Sequence, residues 1–190
     1  MDNHTNFQSI VLMGKIASGK GTQAHRILNH FGGSLYSNGD KVREASQLPT
    51  SFGRKMKEIY EAGQLAPEWV ASYWMAHALT TQFVDSRIVF EGVAKKPNEA
   101  QLFHEIHELL DRPYRVFNLI IPDDVVRIRS RARQRDTVDG EAAIERRLEA
   151  YHTYTERSID FFRAKGKLID INGEATQDEV TEQIFTHLSA

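Results

Sequence analysis

The run Gly14-Lys15-Ile16-Ala17-Ser18-Gly19-Lys20-Gly21-Thr22-Gln23 constrains this chain more than any other feature. It follows the apolar run Ile10-Val11-Leu12-Met13 and precedes the helical pattern Ala24-His25-Arg26-Ile27-Leu28. Strand, glycine-rich loop, lysine and helix, in that order, form a phosphate-binding loop. The glycines let successive backbone N–H groups turn toward phosphate oxygens. The helix N-terminus adds partial positive charge and Lys20 a full one. Thr22 or Ser18 supplies a hydroxyl for the phosphate or Mg²⁺ shell, and Gly21 stands where the commonest pattern has Ser or Thr.

The rest of the chain supplies a frame for such a loop. Strands are expected at Ser9–Met13, Ser34–Tyr36, Ile88–Phe90, Val116–Ile121 and Leu168–Ile171. Helical patterns separate them. One has its apolar face at Leu102, Phe103, Ile106, Leu109 and Leu110. A long one runs through Ile144, Leu148, Tyr151, Thr155, Ile159 and Phe162 and stops at Gly166. Thr176-x-x-Glu179 is a capping box opening a last helix with Val180, Ile184 and Leu188 on one face. The alternation implies an α/β fold with a five-stranded parallel sheet between two helical layers. Two segments, Gly39–Pro67 and Arg129–Glu141, break the alternation and read as excursions from the sheet, the second without helical periodicity.

Composition narrows the class. At 190 residues the chain suits one domain, and 41% hydrophobic with 26% charged residues is ordinary for a globular protein. A net charge of −2 gives no electrostatic reason to expect nucleic acid or an anionic membrane as partner. The absence of cysteine excludes disulfides, thiolate chemistry and cysteine–zinc sites. The polar start, Met1-Asp2-Asn3-His4-Thr5-Asn6, has no apolar signal core, and no run reaches the roughly 20 apolar residues of a membrane span. The expectation is a cytoplasmic protein.

Other segments bring chemistry to the same sheet edge. In Tyr36-Ser37-Asn38-Gly39-Asp40-Lys41-Val42-Arg43, Asn38 or Asp40 can cap a helix that carries Arg43 one turn in, or the segment is a plain cap with a solvated Arg. In Val89-Phe90-Glu91-Gly92-Val93-Ala94-Lys95-Lys96, a strand ends in a carboxylate, a glycine and a base. That order suits Mg²⁺ binding by Glu91 through water and phosphate binding by Lys95; it also suits a surface turn. In Arg127–Arg135 five arginines alternate, and taking Val125, Val126, Ile128 and Ala132 as the buried direction puts Arg129 and Arg133 toward a cleft and Arg127 and Arg131 in solvent. Arg146-Arg147-Leu148 sets another base beside the buried face of the long helix. His104 and His107, spaced i, i+3 with Glu105 and Glu108, read as a solvated face, with a metal site as the alternative.

In this order the pieces resemble the adenylate kinase family of nucleoside monophosphate kinases, from about Ile10 to Leu188. The resemblance is carried by Gly14–Gln23, Asn38-Gly39-Asp40-x-x-Arg43, Gly63-Gln64-Leu65-Ala66-Pro67, Ile144-Glu145-Arg146-Arg147-Leu148-x-x-Tyr151 and Ile171-Asn172-Gly173. It implies a single P-loop-type kinase domain over residues 1–190, with a monophosphate-binding flap at 38–67 and a short lid at 133–141. It also implies reversible transfer of the ATP γ-phosphoryl group to a nucleoside monophosphate, AMP first, with Mg²⁺ as cofactor and a monomer as the working unit. Carried over by position, Gly14, Ala17, Ser18, Gly19, Lys20, Gly21 and Thr22 hold the ATP phosphates, with Arg129 beside the ATP base. Asn38, Arg43, Leu65, Ala66, Gly92 and Lys95 line the monophosphate site, and Glu99 lies beside its base. Lys20, Arg133, Arg135 and Arg147 are the catalytic cations.

Departures from the family pattern stand at the working positions. Ile16-Ala17 replaces a usual Pro-Gly. Glu91-Gly92-Val93-Ala94-Lys95 replaces Asp-Gly-Phe-Pro-Arg, so a bidentate fork becomes a point charge at Lys95. Glu99 replaces a glutamine that reads adenine, and a carboxylate accepts but does not donate. Two alternatives therefore stay open: a P-loop kinase for another small acceptor, and a nucleotide-binding regulatory module with weak catalysis.

Overall fold

A computed structural model of the chain describes residues 5–133 and 140–189, with backbone only at Arg133. Five strands, β1 (Ser9–Gly14), β2 (Ser34–Ser37), β3 (Ile88–Glu91), β4 (Tyr114–Ile120) and β5 (Leu168–Asn172), form one sheet in the order β2-β3-β1-β4-β5. Every neighbouring pair is parallel. The expected strands are all present, most of them a residue or so longer than the apolar runs.

The sheet is buried on both faces, as parallel sheets are. Side chains alternate along β1, so Val11 and Met13 enter one core with Phe90, Tyr114, Met75, Leu79, Phe103 and Phe162. Ile10 and Leu12 enter the other with Val89, Phe117, Leu119 and Ile171, covered by Ala24, Ile27, Val180, Ile184 and Leu188. Each fully buried Phe or Leu contributes about 1.5–3 kcal/mol of transfer free energy. The second layer is α1 (Lys20–Phe31) with α9 (Gln177–Leu188). Gln23 ties the two helices: its Nε2 donates to Gln177 O at 3.0 Å, and its Oε1 accepts from Thr181 Oγ1 at 2.9 Å.

The excursion after β2 is helical and has no strand. It contains α2 (Asn38–Ser46) and α3 (Ser51–Glu61), followed by α4 (Glu68–His77), which runs into a π-helical turn at Ala78–Gln82. After β3 come α5 (Pro97–Leu109), then β4 and α6 (Asp123–Arg133), so helix extends into the stretch that lacked periodicity. The long helix is real but interrupted: α7 (Glu141–Ala150), a π-helical turn (Tyr151–Thr155) and α8 (Glu156–Ala164). Its stop is a Schellman motif, with Gly166 at φ +66° donating to Arg163 O (3.0 Å) and Lys167 N to Phe162 O (3.0 Å). The Thr176/Glu179 capping box opens α9 as expected.

Two helix faces and one helix cap differ from the sequence expectation. On α5 the buried residues are Glu99, Ala100, Phe103, Ile106 and His107, while Leu109 is 82% exposed and Leu110, just past the helix, is also exposed. Aromatic packing chooses this face: His107 stacks on Phe103 at 4.0 Å, and His104 Nδ1 lies 2.9 Å from Tyr114 Oη. His107 thus lies in the core and His104 is half-buried at its margin rather than on a solvated face, and burial pushes His107 down to about 4. Among the described residues no group of three or more acidic or histidine side chains is placed to hold a metal ion.

On α6 the buried line is Val126 and Ser130, while Ile128 is 65% exposed and Ala132 is exposed. At about 100° per residue, Arg127 and Arg129 flank that line and Arg131 faces away from it. Arg127 and Arg131 are not simply solvated, because they pair across to α7 through Glu145 (2.6 Å) and Glu141 (2.5 Å).

On α2 the cap is Ser37, whose Oγ accepts from Asp40 N at 3.2 Å; neither Asn38 nor Asp40 caps it. Asn38 is instead buried, accepting at Oδ1 from Tyr36 Oη at 2.9 Å.

Candidate active site

The strand order places β1 centrally and its C-terminal loop between those of β3 and β4, where parallel α/β sheets form their crevice. The register pairs Leu12 with Glu91, Gly14 with Leu119 and Ser37 with Glu91. The phosphate loop, the start of α2, the Glu91–Lys95 turn, the start of α6 and the Asn172-Gly173 turn therefore leave the sheet at one edge.

The loop is built by close approach. Gly14 sits at φ +131°, and a Cβ there would stand 2.5 Å from Leu119 O. Gly19 is the left-handed N-cap of α1 (φ +99°), and no side chain caps the helix. Gly19 has no side chain to offer the first turn of α1, and no acidic residue lies in that turn. Ala17 holds φ +57° without being glycine. Ser18 is buried and Thr22 exposed. The Lys20 ammonium folds back over the loop, donating to Lys15 O (2.5 Å), Gly14 O (3.0 Å) and Ser18 Oγ (3.3 Å).

Across from the loop stands Glu91. Its Oε2 lies 3.5 Å from the point a Cβ on Gly21 would occupy, so the carboxylate borders the phosphate-loop backbone. Gly92 follows at φ +69°, and Lys95 curls over it with Nζ 3.5 Å from the corresponding Cβ position. Burial pushes the Lys95 ammonium below the ordinary lysine value; the Arg147 guanidinium pushes the same way, against Glu99 and Glu91. Lys95, Arg147, Glu91 and Glu99 thus share one electrostatic neighbourhood.

Glu99 is buried, and its Oε2 accepts from the backbone N–H of Lys95 (2.9 Å) and of Lys96 (3.4 Å). Burial raises its carboxyl above the usual value, while those two N–H groups pull it down. This oxygen caps α5 and fastens the turn that presents Lys95, a use that the sequence comparison with glutamine does not reveal. Ala94, in that turn, holds φ +52°, far from the −65° that proline at the family's position would impose.

The remaining predicted residues fall around this centre. Arg43 is half-exposed, paired with Asp40 (2.8 Å) and with Nε 3.4 Å from Tyr60 Oη. Leu65 and Ala66 lie half-buried between α3 and α4, and Ala66 O accepts from Lys96 Nζ at 3.3 Å. Arg129 donates to Gly173 O at 2.9 Å, joining α6 to the turn after β5. The Arg133 side chain and Arg135 lie outside the described residues. Arg146, named in the sequence motif but given no role there, donates from Nε to Ala62 O at 2.6 Å and binds α7 to the end of α3. There Gly63 (φ +68°) abuts Ala143, with a Cβ position 3.0 Å from the alanine's own.

A phosphate loop on the carboxyl edge of a five-stranded parallel sheet, facing a strand-end carboxylate and converging cations, defines a P-loop nucleotide-binding protein. The family model described as adenylate kinase matches residues 12–167. An adenylate kinase 1 of Nostoc sp. is 33% identical over 184 residues, covering 95% of this chain and 98% of the relative. The adenylate kinase of Leptospira biflexa is 32% identical, covering 93% and 97%. The human adenylate kinase isoenzyme 1 is 30% identical, covering 95% and 94%. The chain belongs to the adenylate kinase family.

Proposed function

We propose that the chain transfers the γ-phosphoryl group of ATP reversibly to AMP, yielding two molecules of ADP, as a monomer. The observation that carries this reading is the meeting of Lys20's loop, Glu91 and Lys95 at one edge of the sheet, with Lys95 inside the field of Arg147. Phosphoryl transfer is mainly positioning and charge neutralisation, which suits a site of backbone N–H groups and cations. The Gly19–Thr22 backbone receives the ATP phosphates while Lys20 moves from its loop carbonyls to the oxygens that gain charge. Lys95 holds the acceptor phosphate as a point charge, and Arg147, with Arg133 and Arg135, neutralises the group in transit. Asn38, Arg43, Leu65, Ala66 and Gly92 line the acceptor side, and Arg129 the ATP base. In this reading residues 38–67 form the flap that covers the acceptor; the lid assigned to residues 133–141 lies for the most part outside the described residues.

The donor set fits Mg²⁺ carried by the nucleotide. The Glu91 carboxylate borders the phosphate-loop backbone at Gly21, and among the described residues no cluster forms a protein cage for a cation. Mg²⁺ keeps much of its water and needs only one or two carboxylates beside substrate phosphates. Bound there, the ion supplies charge neutralisation on the phosphate oxygens, and Glu91 orients its water shell.

The test is ADP formation from ATP with AMP, CMP, UMP and GMP offered separately. AMP is the expected best acceptor. Transfer only to a non-nucleotide acceptor supports the alternative small-molecule kinase, and nucleotide binding without transfer supports the regulatory module.

A further inference from the structure

The phosphate loop contains a second lysine that the phosphate-binding reading leaves unused. Lys15 turns its side chain away from Lys20, toward the start of α6. Its Nζ donates to Ile121 O at 3.1 Å and pairs closely with Asp123 Oδ1. The pair is largely shielded, with the Lys15 side chain 14% and the Asp123 side chain 33% exposed. The other carboxylate oxygen, Asp123 Oδ2, lies 3.0 Å from His152 Nε2, and His152 Nδ1 lies 2.7 Å from Glu156 Oε1. His152 belongs to the π-helical turn, as does Tyr151, whose ring centroid is 5.5 Å from Lys15 Nζ. One continuous polar chain thus joins the phosphate loop, the first turn of α6, the π turn and the start of α8.

Lys15 is also part of the loop's interior. Its carbonyl accepts from Lys20 Nζ at 2.5 Å and from Ser18 N at 3.4 Å. Two residues on, Ala17 sits in the left-handed region without being glycine. Such a conformation persists only where the surroundings over-determine it. Gly14 is fixed from below by Leu119 O, and Lys15 is the next residue with a contact outside the loop.

We propose that Lys15 is a positioning residue, and that Lys15, Asp123 and His152 form an anchor holding the phosphate loop in register with α6 for receipt of the ATP phosphates. The proposal rests on the ATP-binding reading of the loop. It assigns to Lys15 no contact with substrate. It makes α6, the helix that carries Arg129 and Arg133, move as one body with the loop.

The experiment uses the full chain and the variants Lys15→Met, Asp123→Asn, their combination, Lys15→Arg and His152→Gln. ATP affinity is titrated without acceptor, and ATP and AMP KM values are measured separately. Lys15→Met and Asp123→Asn should each weaken ATP binding and raise ATP KM about three- to tenfold while AMP KM stays within about twofold, as loss of a shielded charged pair predicts. The double variant should be no worse than the weaker single, because both remove one interaction. Lys15→Arg should recover most of the affinity, and His152→Gln should show a smaller effect in the same direction. Additive losses, a parallel rise in AMP KM, or unchanged ATP affinity with only a lower Tm would overturn the anchor. Should Lys15→Met fail to fold, Asp123→Asn and Lys15→Arg still decide: equal ATP affinity in Asp123→Asn and wild type overturns it. Wild type that binds ATP but makes no ADP counts against the transfer reading, while the titration continues to test the anchor.

Discussion

Glu99 Oε2 lies 2.9 Å from the backbone nitrogen of Lys95, four residues before it in the chain. One buried carboxylate therefore closes the first turn of α5 and fixes the residue assigned to the acceptor's phosphate. Removing it strips a helix cap worth about 0.5–2 kcal/mol. Glu99→Ala should lower Tm by a few degrees and raise acceptor KM about fivefold without reordering the bases. Glu99→Gln keeps an acceptor oxygen and should stay within about twofold of wild type. A reordering of AMP, CMP, GMP and UMP in Glu99→Gln would instead make Glu99 a base reader.

Ala94 offers a test against the family's own residue. At φ +52° its backbone is closed to proline, whose ring holds φ near −65°. Ala94→Pro should destabilise the chain by about 2–3 kcal/mol and raise acceptor KM, since Lys95 is the next residue. Chemical denaturation showing equal or greater stability in Ala94→Pro would mean that the turn readily adopts the family's conformation.

His152 makes stability depend on pH. Hydrogen bonding to Asp123 and then to Glu156 raises its folded value above the ordinary 6.5. Its contribution is therefore complete below about pH 6.5 and is lost as pH rises through the raised value. Asp123 limits the acid side. Burial pushes its carboxyl up, but hydrogen bonds from Lys15 and His152 outweigh that and hold it below 3.8, so its contribution is lost as pH falls through the lowered value. His152 is partly exposed, and solvent screening keeps the effect to about 0.3–1 kcal/mol. The Tm gap between wild type and His152→Gln should be widest near pH 5–6 and close by about pH 9. A gap that widens with pH contradicts the assignment.

At the opposite edge of the sheet, buried Arg112 donates to Ser9 Oγ (2.8 Å), Val84 O (2.9 Å), Gln8 O (3.1 Å), Phe83 O (3.2 Å) and Ser86 O. Arg112→Met leaves several of these acceptors unpaired, at about 1–3 kcal/mol each. Thermal unfolding should show Tm lower by more than about 5 °C with the ATP and AMP KM values unchanged. An unchanged Tm would show that water replaces the guanidinium freely.

The strands were legible because both faces of a parallel sheet must be apolar, and the loop because few residue types permit its backbone. Helix faces were less so. A leucine count on α5 pointed to Leu109 and Leu110, but the aromatic cluster around Phe103 and Tyr114 decided the phase and drew His107 inward. On α6 the small polar Ser130 is buried and Ile128 is not, because what packs opposite a helix sets its phase as much as its own pattern does. The π turn at Tyr151 and the five acceptors of Arg112 have no local signal. Each depends on groups far apart in the chain, whereas the Glu99 contact with the backbone of Lys95 and Lys96 is local and adds a helix-capping use to a residue read first by its family position.

The central claim is that the Gly14–Thr22 loop drives phosphoryl transfer from ATP to AMP, and Lys20 tests it most directly. Losing one preorganised charged contact in such a site costs about 2.7–4 kcal/mol, roughly 10²–10³ in rate. In a coupled assay of ADP formation, wild type should turn over ATP with AMP, and folded Lys20→Ala should retain less than about one hundredth of its kcat. Lys20→Ala turnover above about a tenth of wild type, with its Tm preserved, would contradict the account.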